Sequence, residues 1–115
     1  MELTQKKCLP CEGIGKAFGR AEAQARMAEI PEWFLSDDAK SIYREYMVKD
    51  FMAAVDFINA IAPIAESENH HPDIHLTDYR KLSIVLSTHA IGGLSENDYI
   101  VAAKINELPK ELKKA

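Results

Sequence analysis

The cleanest hydrophobic pattern in the chain is KLSIVLST, in which Leu82, Ile84 and Leu86 alternate with Ser83, Val85 and Ser87. A period of two puts one set on a core and the other towards solvent, so a half-buried strand is expected from about Arg80 to Thr88. A short extended piece, Asp73 to Leu76, and a turn at Thr77–Asp78 precede it. Upstream, Trp33–Leu35 and Ser41–Val48 read as two strands joined by SDDA, a run of turn formers. Alternation in the longer strand is imperfect, because Arg44 and Tyr46 share a face with Ile42 and Val48.

Three segments carry helical spacing instead. Lys16 to Ile30 is rich in good helix formers, with Phe18, Ala21, Ala25 and Ala28 as a thin apolar stripe ended by Pro31. KDFMAAVDFINAIAPIAESEN places Phe51, Val55, Ile58, Ala62 and Ala65 on one side, a stripe wide enough to lie on a sheet. Pro63 should release a backbone bond there and bend the last turns. Ser95 followed three residues later by Asp98 is a capping-box pattern that opens a final helix, stopped near Leu108 by Pro109. The order is α-β-β-α-β-β-α after an irregular lead-in over residues 1–16. It predicts an α+β fold, one antiparallel sheet with its helices on one face.

Length adds a bound: 115 residues suit one domain spanning 1–115 and one modest core. The formal charge of −4 gives no general attraction to nucleic acid or to an anionic membrane, and no apolar run approaches a membrane span. MELTQKK lacks the apolar core of a signal peptide, so a cytoplasmic protein is expected. Cys8 and Cys11 form CLPC without the strand-then-helix context of a thioredoxin-like site or the second pair of a zinc ribbon. They read as structural, with a redox pair or half of a shared metal site as alternatives.

All four histidines fall within twenty residues: His70, His71, His75 and His89. Imidazole titrates near neutrality, so such clustering points to proton transfer, metal binding or pH sensing. Glu66 stands four before His70, contact spacing if the helix reaches that far. Pro72 disfavours helical backbone at His71, so the helix should end near His70 and both rings can turn towards one cavity, with His89 arriving from the end of the main strand. His75 reads as a solvated strand residue and Asp98 first as a helix cap. A zinc site is disfavoured, because the i, i+4 histidine pair is absent and adjacent histidines seldom serve one ion.

Glu66, His70-His71-Pro72, Tyr79, His89 and Asp98, at these spacings, resemble the signature of the pterin-4a-carbinolamine dehydratases. REYMVKDFMAAVDFINAIAPIAE, STHAIGGLSENDYIVAAKI and the opening CLPCEG are similar to the same family. The resemblance covers about Trp33 to Glu107. It implies a four-stranded antiparallel sheet with three helices on one side, in dimers or tetramers. The implied activity is that of a hydro-lyase, removing water from 4a-hydroxytetrahydropterin in support of pterin recycling for aromatic amino-acid hydroxylases, phenylalanine hydroxylation among them. No metal or organic cofactor is implied, since the pterin is the substrate. By resemblance, His70 and His89 carry the acid and base work, His71 binds and assists, and Glu66 orients. Pro72 and Thr88, His89, Ala90 and Ile91 match positions that wall the pterin pocket.

Two departures touch that pocket: Ile74 stands where animal members carry Trp, and Pro63 precedes the catalytic turn. Relatives of the same fold also serve as dimerisation or assembly factors and transcriptional cofactors, and bacterial members act on other pterins, including those of molybdenum-cofactor metabolism. These remain alternatives.

Overall fold

A computed structural model describes residues 2–9 and 15–114. Its sheet has four strands, β1 (Phe34–Leu35), β2 (Ile42–Met47), β3 (Asp73–Thr77) and β4 (Lys81–Leu86), in the order β1-β2-β4-β3 with every neighbouring pair antiparallel. Three helices accompany it, α1 (Arg20–Arg26), α2 (Phe51–Glu68) and α3 (Glu96–Asn106), so the α+β expectation holds. Leu82, Ile84 and Leu86 are fully buried, each contributing about 1.5–3 kcal/mol of burial.

Arg44 resolves the imperfect alternation of β2. It is buried beside Ile42 and Tyr46, but its guanidinium donates to Asn106 Oδ1 at 2.7 Å and Glu32 Oε2 at 3.0 Å and stacks over Tyr46. A charge can occupy a core position when its donors are satisfied.

Two helical stripes differ from expectation. In the first helix Ala21, Ala25 and Ala28 are exposed, while Ala23 and Ile30 are buried with Met27 half-buried between them. Methyl groups bury too little area to specify a face. Gly19, extended, starts this helix at Arg20 rather than Lys16, and a 3-10 turn, Met27–Glu29, continues it.

In α2 the buried set is Ala53, Ala54, Phe57, Ile61, Ala65 and Glu68, out of phase with the expected stripe and sharing only Ala65 with it. Phe51 is instead 52% exposed, Ala62 is exposed, and Val55 and Ile58 are half-buried. The helix is apolar over so much of its circumference that its polar residues mark orientation better: Asp56, Asn59 and Glu66 all face solvent. Pro63 lies inside the helix, which runs unbroken to Glu68.

Asp50 caps α2 by accepting from Ala53 N at 2.8 Å. The β3–β4 turn falls on Asp78 and Tyr79, both left-handed (φ 49° and 52°), one residue later than expected. The register pairs Thr77 with Lys81, so the loop has three residues, Asp78 to Arg80. No described helix is long and apolar enough to cross a membrane.

The lead-in is less irregular than its composition suggests. Leu3 begins a single 3-10 turn and is buried in the core. Leu9 and Asn97 exchange two hydrogen bonds, Leu9 N to Asn97 Oδ1 at 2.9 Å and Asn97 Nδ2 to Leu9 O at 2.8 Å. Among the described residues Cys8 is a free thiol; it donates to Asn97 O, and burial, reinforced by the nearby Glu68 carboxylate, pushes its pKa up to about 12. At neutral pH it is therefore a thiol rather than a thiolate, the inert form. Cys11, and with it any pairing of the two cysteines, lies outside the described residues.

Candidate active site

The site begins where α2 stops. Asn69 takes the left-handed conformation (φ 51°), and its amide and that of His70 fold back onto Glu66 O and Ala65 O. Pro72 follows, so the helix cannot resume. The reversal separates the two adjacent rings. His70 turns inward, with only 8% of its surface exposed, and its Nε2 lies 2.6 Å from Asp98 Oδ1 on α3. His71 stays outside, its Nε2 2.5 Å from Glu66 Oε2.

Glu66 therefore pairs with His71, and the expected Glu66–His70 contact is corrected. The i, i+4 spacing has meaning only within a continuous helix, and here the chain has already reversed at Asn69. Both members of the Glu66–His71 pair are largely exposed, so it contributes at most about 1 kcal/mol to the fold.

Asp98 is the carboxylate that holds His70. It is completely buried at the third position of α3. Its Oδ2 accepts from Ser95 N at 3.0 Å, closing the expected capping box, and from Thr88 Oγ1 at 2.8 Å. With two donors on one oxygen, the other oxygen faces the imidazole. An acceptor-only carboxylate fixes the proton of His70 on Nε2 and leaves Nδ1 as the nitrogen able to exchange a proton with a bound molecule. The cap was legible in the sequence; the use of its second oxygen was not. The available signal was that a capping aspartate needs only one oxygen and that Asp98 opens the apolar run YIVAA.

Thr88 is buried. Its N–H and C=O both bond to Gly93, and its hydroxyl, which touches Ser95 Oγ at 2.8 Å, is committed to Asp98. No polar group of Thr88 is left for a ligand; it supports the His70–Asp98 pair.

His89, Ala90 and Ile91 form a 3-10 turn after Thr88, and Gly92 in the left-handed region (φ 67°) closes it. His89 and Ala90 are exposed and Ile91 half-buried. At Gly93 a Cβ would stand 2.8 Å from Ala17 Cβ, so only glycine fits. Asp73 pairs with Val85 where β3 enters and β4 leaves, so the His70–Pro72 corner and the Thr88–Ile91 turn share one end of the sheet. Thr88 links them through Asp98. Pro72 is half-buried beside this corner, and His75 is exposed on the edge strand β3.

A family model described as pterin 4 alpha carbinolamine dehydratase matches residues 16–108. The chain belongs to that family. It is 43% identical to a protein of Halorhodospira halophila provisionally named a pterin-4-alpha-carbinolamine dehydratase, over 94% of this chain and 98% of that one. It is 44% identical to the mitochondrial pterin-4-alpha-carbinolamine dehydratase 2 of Arabidopsis thaliana, over 96% of this chain but only 60% of the plant protein. A crystal structure of a transcriptional coactivator/pterin dehydratase from Brucella melitensis superposes with a TM-score of 0.73 at 28% identity, covering 79% of this chain and 96% of that one. The pterin dehydratase family is thus shown by sequence and by fold.

Another carboxylate near the corner makes the fold sensitive to acid. Glu68 sits below its ordinary value of 4.5: burial pushes it up, but the Lys104 ammonium at 2.7 Å and the Cys8 amide at 2.8 Å outweigh burial. Folding thus makes Glu68 hold its proton less tightly than the unfolded chain does. Its contribution is complete above the unfolded value and is lost as pH falls through the lower folded value. Thermal melts should be flat in this respect above about pH 5 and fall below about pH 4.5, and Glu68→Gln should shallow that fall.

Proposed function

We propose that this protein removes water from a 4a-hydroxytetrahydropterin to give the quinonoid dihydropterin, with His70 and His89 carrying the two proton transfers. A proton is delivered to the 4a hydroxyl, the carbon–oxygen bond breaks to release water, and the neighbouring ring nitrogen gives up its proton as the carbon–nitrogen double bond forms. The observation that carries this reading is the buried Asp98, which fixes His70 Nε2 and frees Nδ1. Family membership supplies the substrate class. His71 and Pro72 wall the pocket on one side and Ala90 and Ile91 on the other, and Glu66 orients His71. The chemistry asks for no metal or organic cofactor, and the product suits recycling of the pterin of an aromatic amino-acid hydroxylase.

The test is stopped-flow decay of freshly generated 4a-hydroxytetrahydropterin. Wild-type protein should accelerate it in proportion to enzyme concentration, and a rate no faster than the spontaneous one would end this reading. A second reading, a transcriptional cofactor, draws on the name of the Brucella protein. It predicts that variants at His70 and His89 keep full function.

The apolar stripe on the outside of α2 supports a homodimer or homotetramer. Phe51 and Met52 are 52% and 63% exposed, with Val55, Ile58 and Ala62 along the same side. Light scattering after size exclusion should give a dimer or tetramer for the wild type and a smaller species for Phe51→Glu. A monomeric wild type would remove the oligomer from the account.

A further inference from the structure

We propose that the lead-in segment Lys6–Leu9 is a strap that holds the His70–Asp98 pair in register, which makes Asn97 and Glu68 positioning residues for the dehydration proposed above. The inference starts from a closed circuit. Glu68, two residues before His70, accepts from Cys8 N at 2.8 Å. Leu9, the next residue along, is locked to the Asn97 side chain in both directions, at 2.9 and 2.8 Å. Asn97 adjoins Asp98, which returns to His70 at 2.6 Å. The strap therefore spans the same gap, from the end of α2 to the start of α3, that the catalytic pair spans.

The anchors are themselves fixed. Glu68 and Asn97 are buried, and Glu68 Oε2 takes the Lys104 ammonium at 2.7 Å. Lys6 and Arg26 both hold Glu96 in the first turn of α3, at 2.9 and 3.1 Å. A small cleft separates the strap from His70, lined by Cys8, Leu9, Ser67, Asn69 and His70. Neither helix end could drift while the circuit is closed. Proton-transfer groups lose rate steeply when displaced by fractions of an ångström, so a short catalytic contact between two helix ends benefits from a second, parallel tie.

The circuit can be opened without touching His70 or Asp98. Asn97→Ala removes both bonds to Leu9. Leu9→Pro removes only the Leu9 amide donor, at an exposed residue outside the core. Glu68→Ala removes the acceptor of the Cys8 amide. Two readouts are needed on the full chain: kcat and KM for the 4a-hydroxytetrahydropterin, and the imidazole nitrogen-15 and proton resonances of His70. Opening the strap should lower kcat on the order of 10- to 100-fold with KM within about twofold. It should also move the His70 Nε2–H resonance and speed its exchange. If Asn97→Ala and Leu9→Pro keep both the wild-type kcat and the wild-type His70 resonance, the strap is only a structural tie and the proposal fails. The proposal fails equally if kcat drops only in step with melting temperature while the resonance stays put. Should wild-type protein show no dehydratase activity, the functional reading falls, and the His70 resonance in the same variants still decides on the strap.

Discussion

Asp98→Asn is expected to lower kcat for dehydration by on the order of 10²–10⁴ while leaving the fold almost intact. The amide is isosteric, but it has only one oxygen. Ser95 N and Thr88 Oγ1 are both donors to Oδ2, so the single oxygen must stay with them. The amide nitrogen then faces His70 Nε2, 2.6 Å away in the wild type, and two donors cannot share that contact. The imidazole must move its proton to Nδ1, the nitrogen that is otherwise free to exchange with the substrate. Asp98→Ala is the harsher change. It strands a buried backbone amide and a buried imidazole, at a cost of about 2–4 kcal/mol, which a melt would register as a drop of many degrees. Stopped-flow rates beside melting curves separate the two variants.

The second large effect distinguishes the two histidines. His70→Ala and His89→Ala should each lower kcat on the order of 10²–10⁴, since each removes one of two proton transfers. Their stabilities should differ. His70 is buried and is the donor to Asp98 Oδ1, so its loss leaves a buried carboxylate oxygen unpaired and costs about 1–3 kcal/mol. His89 is exposed, and its loss should change stability by no more than about 0.5 kcal/mol. Neither histidine lies in an apolar stripe of the sequence, so burial of His70 is what separates the two. Equal melting temperatures, or unchanged turnover in either variant, would contradict the assignment.

What the sequence revealed follows from how local each signal is. Strand β4 was legible because alternation in KLSIVLST needs only neighbouring residues, and the capping box of α3 because Ser95 and Asp98 are three apart. The face of α2 was not, because apolar residues nearly surround it and only packing against the sheet selects among them. The stripe assigned to the core turned out to hold the exposed Phe51. Charge partners were the least legible. Arg44 reaches Asn106 across 62 positions, His70 reaches Asp98 across 28, and Cys8 reaches Glu68 across 60. No periodicity reports contacts at such separations. Glu66 failed for a different reason, because one left-handed residue, Asn69, cancelled a spacing that was otherwise sound.

A ligand titration reaches the centre of this account most directly. Adding a non-reacting dihydropterin to nitrogen-15-labelled protein should move the ring signals of His70, His71 and His89 together, all with one saturation curve, while the edge-strand His75 stays still. Movement of the first two without His89 would mean that the two corners do not meet around one ring system.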